Sequence, residues 1–498
     1  MVFMMTQNEN FKITIIGSGT AGFISALMLK RAFPNCEITI LSSSKIGIIG
    51  VGEGSTEHWR EFMKICDIPT DELLISTEAT HKYGIRFENW NTEIPDYFHS
   101  INGEDQLWSF SSYPTYMGFI EKGKLLTHQT ASVGLHSNKI RRLGLHENTN
   151  QFHFDTFKLN QYFSQLCFER MIKIIDAEVK DVNLDEKNGN ITSVKTQDGN
   201  EIQSDFWIDA SGFSRVLMNS LQNTEWVSFK DYLLCDSAIA FPTQSDPNGE
   251  IRPYTRARAA SSGWMWEIPT QSRRGNGYVF SSKFLSEEEA VEEAEKMIGA
   301  KIPNHRIIRF DAGYLKKSWV KNCCAVGLSS SFVEPLEASS IGSTIQQMRW
   351  LIPSLAAYTP ESTAMHKKYN ADMEAMMLNI LDMVRLHYIS DRRDTPFWRE
   401  MANMPIPEGL QNLLDLWSER PPNRNDIPTN SGQLFASAHF IHVAQGQNVL
   451  NRNSAGLSLR RLNLHGIVKN SMSQTNSNRH NHELVDHAEA LREIENYA

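Results

Sequence analysis

The sequence predicts an α/β protein with a Rossmann-like dinucleotide-binding core, a sheet-rich region interleaved into that core, and a helical C-terminal part. Three observations carry this. The β-branched strand Ile13-Thr14-Ile15-Ile16 runs straight into Gly17-Ser18-Gly19-Thr20-Ala21-Gly22. Asn188-Gly189 and Asp198-Gly199 mark the turns of a β-meander. Phe206-Trp207-Ile208-Asp209-Ala210-Ser211-Gly212 then returns as an apolar strand ending in small residues.

In the first element, Gly17 permits the tight turn, Gly19 leaves room for a phosphate against bare backbone, and Gly22 lets the following helix pack close to the strand. The helix start offers N–H groups and a positive dipole end to a pyrophosphate. Phe23, Ile24, Leu27, Met28 and Leu29 give that helix an apolar face, and Glu37-Ile38-Thr39-Ile40-Leu41 is the second strand. Such a strand usually ends in an acid that holds a ribose hydroxyl, whereas here Ser42-Ser43-Ser44 follow. Ribose recognition is therefore expected to be weaker or to come from elsewhere. The next loop, Gly47-Ile48-Ile49-Gly50-Val51-Gly52-Glu53-Gly54, lets backbone approach a flat cofactor, with a helix capped by Ser55 or Thr56 after it.

Lys82 lies among Tyr83, Ile85, Phe87 and Trp90 in a stretch that reads as a partly buried strand. On the surface it is a solvated cation; buried, it is a nucleophile or proton donor. A helix capped by Asp155 or Thr156 follows, with Phe157, Tyr162, Phe163, Leu166 and Met171 as its expected core residues. A strand–helix–strand unit followed by a meander and a further core strand is the order of FAD-binding folds of the glutathione-reductase and hydroxylase type, although a fold does not set a function.

Residues 225–315 read as a sheet-rich region covering the cofactor. In it, Trp264 and Trp266 at strand spacing share a face, either as core or as the wall of a passage. Ser286 and Glu289 form a capping box. The strand at Ala325 exits into small residues, with Glu337 as a candidate buried carboxylate and a helix beginning near Ile341 whose N–H groups suit an anion. A long helix from Ala364 to about Tyr388 buries Met373, Met376, Met377, Ile380, Leu381 and Val384. Residues 467–482 read as a linker and 483–498 as a charged helix.

With 498 residues, of which 41% are hydrophobic and 21% charged, the chain has the composition of a globular protein with a large core. A net charge of -9 without a long basic run argues against nucleic acid as partner. No run of about 18 apolar residues and no signal-like start is present, so a cytoplasmic protein without membrane contact is expected. The six cysteines lack C-x-x-C spacing, so reduced thiols and no metal are expected. His439, His442, His480 and His482 show no metal-ligand pattern.

Taken together, several stretches resemble the flavin-dependent halogenase family of the tryptophan-halogenase type. They are Gly17 to Gly22, Gly50-Val51-Gly52-Glu53, Lys82-Tyr83-Gly84-Ile85-Arg86-Phe87-Glu88-Asn89-Trp90, Trp264-Met265-Trp266-Glu267-Ile268-Pro269, Phe332-Val333-Glu334-Pro335-Leu336-Glu337, and His387-Tyr388 through Arg393-Asp394-Thr395-Pro396-Phe397-Trp398. The W-x-W-x-I-P element is the most specific of them. The likeness implies one unit over residues 11–461, with a discontinuous FAD-binding core at about 11–60, 150–215 and 318–360, a tunnel region at 225–315 and a helical substrate-side region at 361–461.

The resemblance also implies a mechanism. Reduced FAD, supplied by a separate flavin reductase, reacts with dioxygen and a halide to give hypohalous acid, which passes through a tunnel to the aromatic substrate. Lys82 is implied to direct the electrophilic halogen, and Glu337 to orient it and help remove the ring proton. Cofactor contacts are implied at Gly17, Gly19, Thr20, Ala21, Gly22, Ser42, Gly50, Val51, Gly52, Glu53, Val179, Leu328 and Ile341. Halide contacts are implied at Ser339 and Ser340, and Trp264, Trp266, Phe332 and Pro335 are implied to wall the passage.

Two departures shape the expectation. Chloride-using relatives carry Ser-Thr-Gly after the glutamate, whereas Ala338-Ser339-Ser340 stand here, so bromide or iodide is expected to serve at least as well as chloride. Between Ser431 and Asn451 the residues that grip free tryptophan in relatives have no counterpart, which leaves indoles, phenols and other electron-rich aromatics open. A flavin monooxygenase on the same fold and a non-catalytic FAD-binding protein are the alternatives; oligomeric state, including a homo-oligomer, stays open.

Overall fold

The computed structural model of the chain describes residues 11–48, 54–100, 112–125, 137–141, 151–222, 224–245, 249–428, 433–469 and 484–497. The chain forms two compact units, both discontinuous: residues 1–72, 155–228 and 313–377 make the first, and 73–154, 229–312 and 378–498 the second.

The first unit is built on a six-stranded sheet in the order Trp319–Val320, Cys323–Ala325, Phe206–Asp209, Lys12–Ile16, Glu37–Ser42, Lys173–Asp176. All neighbours are parallel except the first pair. Parallel strands are buried on both faces, which is why Ile13, Ile15, Ile38, Ile40, Phe206 and Ile208 form near-continuous apolar runs. This is the Rossmann-like α/β architecture expected from the sequence. The helix Thr20–Ala32 packs against Thr156–Glu169 and Ser339–Leu355. The meander forms as Val179–Leu184, Ile191–Thr196 and Glu201–Gln203, all antiparallel. Cys323 and Cys324 are fully buried; burial pushes the Cys324 thiol up to about 12 and Cys323 also well above its ordinary value, so both are packing groups.

Asp155 caps Thr156–Glu169 by accepting from the Phe157 and Lys158 N–H groups. Phe157 and Met171, however, are 53% and 82% exposed, so they are not core residues. Leu159 and Cys167, spaced with Tyr162, Phe163 and Leu166, face inward in their place. The helix expected after Ser55 or Thr56 starts at His58 with Glu57 at the cap position and no side-chain cap bond, because the Thr56 hydroxyl pairs with His58 Nδ1.

The second unit centres on a seven-stranded sheet: Arg306–Arg309, Ser237–Gln244, Arg273–Phe280, Gly263–Pro269, Tyr254–Ala259, Gly84–Glu88, Asp96–Ser100. Tyr254–Ala259 and Gly84–Glu88 are its one parallel pair. The helix Glu287–Ile298, opened by the Ser286/Glu289 capping box, covers one face through Ala290 and Ala294. The stretch expected as a helix from residue 483 begins instead with the strand Leu484–Asp486, which pairs with Lys139–Arg141; the helix is His487–Tyr497. Within the expected linker, Val468 is buried against Met117 and Leu459, and residues 470–482 lie outside the described ones. Among the described residues no helix is long and apolar enough to cross a membrane.

Two side chains near the end of the helix Ala364–His387 clamp its successors. The buried Arg385 guanidinium donates to the carbonyls of Met401, Met404 and Pro405, where the helix Pro396–Asn403 ends. Asp382 accepts from the Leu410 N–H at the start of Glu408–Glu419, and a Cβ on Gly409 would lie 2.3 Å from its Oδ2. Burial raises the Asp382 carboxyl to about 7 from an ordinary 3.8. The folded state therefore binds this proton more tightly than the unfolded chain, so its contribution to stability is full below about pH 4 and is lost as pH rises to about 7. Asp382→Asn keeps an acceptor for Leu410 and should flatten that part of the stability profile, read by thermal melts across the same range.

Candidate functional site

In the first unit the glycine-rich turn is held by close backbone contacts. Gly17 has φ +109°, and a Cβ there would lie 2.4 Å from the Ala210 carbonyl oxygen; a Cβ on Gly22 would lie 2.0 Å from the Gly17 carbonyl oxygen. Gly19 differs, since a Cβ there would meet nothing within 4 Å. The space beside it is open, and the helix Thr20–Ala32 begins with no side-chain cap and no acid in its first turn. This cradle fits a dinucleotide phosphate. Ser42, where an acid is usual, has its hydroxyl hydrogen-bonded to that of Ser18. Gly50, Val51, Gly52 and Glu53 lie outside the described residues.

The strand Phe206–Asp209 delivers a carboxylate that the sequence reading did not single out. Asp209 is fully buried, and its Oδ1 accepts from the Ser211 N–H and hydroxyl and from the Ser329 hydroxyl at 3.0 Å. Its Oδ2 accepts from the Leu217 and Met218 N–H groups at 2.8 and 2.9 Å. It thus ties the loop after its own strand to the turn Gly327–Ser329, which contains Leu328. A Cβ on Gly327 would lie 2.5 Å from the Ala21 Cβ, so this turn packs directly on the phosphate cradle. Gln347, also unforeseen, accepts from the Gly327 N–H and donates to the Ala325 carbonyl. Val179 opens the first meander strand, and Phe332 packs edge-on against Phe213.

Farther along the same unit, Glu337 and Ala338 both take left-handed backbone conformations, φ +66° and +54°, just after Pro335. Two consecutive non-glycine residues there are costly, and such strain clusters at functional sites. Glu337 is 3% exposed. The helix that follows starts at Ser339, two residues before the expected Ile341, because the chain turns sharply at Ala338. Its N-terminus, at Ser339 and Ser340, has no side-chain cap, an arrangement suited to a small anion.

In the second unit Lys82 lies in the gap between the strands Thr80–His81 and Gly84–Glu88, where it is 1% exposed. Its own N–H donates to the Gln151 carbonyl, and the Tyr83 N–H to the Pro253 carbonyl. Beside it, His153 bonds to the Thr80 and Thr255 hydroxyls. Burial, reinforced by Lys82 and His487, holds the His153 imidazole well below its ordinary range, so it stays neutral. Trp264 and Trp266 are both buried, ring centroids 6.1 Å apart. Trp264 belongs to an aromatic cluster with Trp90, Tyr388 and Trp398, whereas Trp266 lies over Gly277, where a Cβ would meet its ring at 2.0 Å. Three buried histidines also meet on this unit: His99 bonds to His439 at 2.9 Å and packs on His442. Among the described residues no His, Cys, Asp or Glu group could hold a metal. His153, His487 and His99 escaped the sequence reading because isolated histidines carry no spacing signal.

Residues 12–460 match the tryptophan halogenase family profile. Tryptophan 7-halogenase RebH of Lentzea aerocolonigenes is 33% identical over 437 residues, covering 82% of this chain and 81% of that protein. The crystal structure of tryptophan 6-halogenase SttH from Streptomyces toxytricini superposes with a TM-score of 0.88 at 25% identity, covering 98% of this chain and all of that one. BrvH, a flavin-dependent halogenase from Brevundimonas sp. BAL3, gives 0.82 at 25% identity, covering 97% and 99% of the two chains.

Proposed function

We infer the function from one premise: the chain belongs to the tryptophan halogenase family, and is a flavin-dependent enzyme that halogenates aromatic substrates. The observation that carries the finer reading is the buried Lys82, held by backbone hydrogen bonds in the connection between two strands of the second unit. We assign it the delivery of halogen to an electron-rich ring, an indole, phenol or similar. When bound, reduced FAD supplies the electrons with which dioxygen and a halide give hypohalous acid and water. The cradle of Gly17, Gly19 and Gly22 would hold the pyrophosphate, and the uncapped Ser339 and Ser340 N–H groups the halide. A Lys82 ammonium hydrogen-bonded to hypohalous acid makes the halogen more electrophilic. The ring carbon then gains halogen, and the departing hydroxide takes a proton from the Lys82 ammonium and leaves as water. The ring proton goes to a carboxylate, the role we assign to Glu337. The supply of reduced FAD falls to a separate reductase.

The decisive assay incubates the protein with reduced FAD, air, a panel of indoles and phenols, and equal chloride, bromide and iodide, with products read by mass spectrometry. Aryl bromide or iodide is expected at least as abundantly as aryl chloride, since Ala338 replaces the usual serine and both heavier halides are easier to oxidise. Exclusive chlorination overturns the halide assignment. Hydroxylated product formed equally without halide overturns the halogenation reading for these substrates.

A further inference from the structure

The connection that carries Lys82 is gripped by a segment of the same unit that lies four hundred residues later in the chain. His487, fully buried, stands at the start of the helix His487–Tyr497. Its Nε2 accepts from the His81 backbone N–H at 3.1 Å, and its Nδ1 donates to the Ile251 carbonyl at 3.2 Å. The two partners fix the tautomer: one nitrogen must accept and the other donate. Burial pushes this imidazole down to about 4, so both roles persist at neutral pH. The two rings, His81 and His487, lie 5.7 Å apart.

The residue on the other side of Lys82 is held by the same segment. The Tyr83 ring packs in a cluster with Phe98, Ile140 and Tyr254 that Val485 and Ala490 complete. Pairing of Leu484–Asp486 with Lys139–Arg141 fixes the segment in register. Both neighbours of Lys82 therefore depend on residues 484–490, one through a backbone hydrogen bond and one through apolar burial. An apolar side chain at 487 would remove the imidazole acceptor from the His81 N–H, and the connection that carries Lys82 would shift.

We propose that His487 is a positioning residue for Lys82, and that the segment 484–497 is a brace holding the connection that carries the lysine in its working conformation. The proposal rests on the reading of Lys82 as the group that delivers halogen. A lysine misplaced by about an ångström costs on the order of a hundredfold in a step that depends on orientation, while the chemistry at the flavin, which involves other residues, continues.

The test measures three quantities for the full chain: reduced FAD consumed, aryl halide formed, and hypohalous acid caught by an added scavenger. His487→Leu is expected to lower aryl halide per reduced FAD about ten- to a hundredfold, with flavin consumption kept and scavenged hypohalous acid raised. His487→Gln, whose amide oxygen reaches the place of Nε2, is expected to restore most of the yield. An unchanged yield in His487→Leu overturns the proposal. So does a parallel fall in flavin consumption and yield that Gln fails to rescue, since that is general loss of structure. Lys82→Met is run beside them: if it keeps full halogenation, the reading of Lys82 fails and the brace with it, whereas loss in Lys82→Met alone overturns only the brace.

Discussion

Lys82→Met is expected to cut aryl halide formation by about two to four orders of magnitude, the usual worth of a positioned proton-transfer or polarising group. Oxidation of reduced FAD in air should continue at the native rate, followed by flavin absorbance, with hypohalous acid appearing in solution. Methionine suits the test because it fills nearly the same volume without a charge. Lys82 is 1% exposed, so an alanine would open a cavity and confuse loss of chemistry with loss of packing. Undiminished halogenation would remove Lys82 from the mechanism.

Asp209→Ala is expected to destabilise the first unit by about 2–5 kcal/mol, since each buried donor left without its acceptor costs about 1–3 kcal/mol. The five donors on its two oxygens include the Leu217 and Met218 N–H groups, which would be left buried without an acceptor. Because the Ser329 hydroxyl is one of the five and its turn packs on Ala21, FAD affinity should fall in the same variant. Asp209→Asn, which keeps one acceptor oxygen, should lie between the two. Denaturant titration and flavin-fluorescence binding check both, and a loss below about 1 kcal/mol would show the hub to be dispensable.

The residues behind these two effects differ in how far the chain alone reveals them. Gly17 was legible as a turn glycine but not in its approach to the distant Ala210 carbonyl. Gly22, in contrast, could be read from the chain alone because the backbone it approaches, at Gly17, lies in the same strand, turn and helix. The same holds for the Ser286 capping box, the Asp155 cap and the pair Trp264 and Trp266 on one strand face. Asp209 was legible as the end of a strand and not as a hub, since three of its donors come from Leu217, Met218 and Ser329. The pairing of Gly84–Glu88 with Tyr254–Ala259 was equally hidden, because a parallel partner leaves no turn signal to announce it. Phe157 and Met171 went wrong for a physical reason of their own: apolar residues at the two ends of a helix sit beyond the face its neighbours cover. Glu337 could be picked out as a carboxylate among small residues, but its left-handed backbone could not, since neither it nor Ala338 is a residue that favours that region.

The strand order of the first unit has a consequence for how the chain is made. Phe206–Asp209 lies between Lys12–Ile16 and Cys323–Ala325, so the middle of the sheet joins segments drawn from three distant parts of the polypeptide. Emerging from the ribosome, the N-terminal strand–helix–strand must wait through some two hundred residues for its first central neighbour and three hundred for the next. Such non-local closure makes folding slow and leaves the apolar edge of Lys12–Ile16 uncovered meanwhile. Nascent chains halted short of Cys323 should therefore engage chaperones, and early capture of the nucleotide by the glycine turn would give that waiting strand its first stabilising contact.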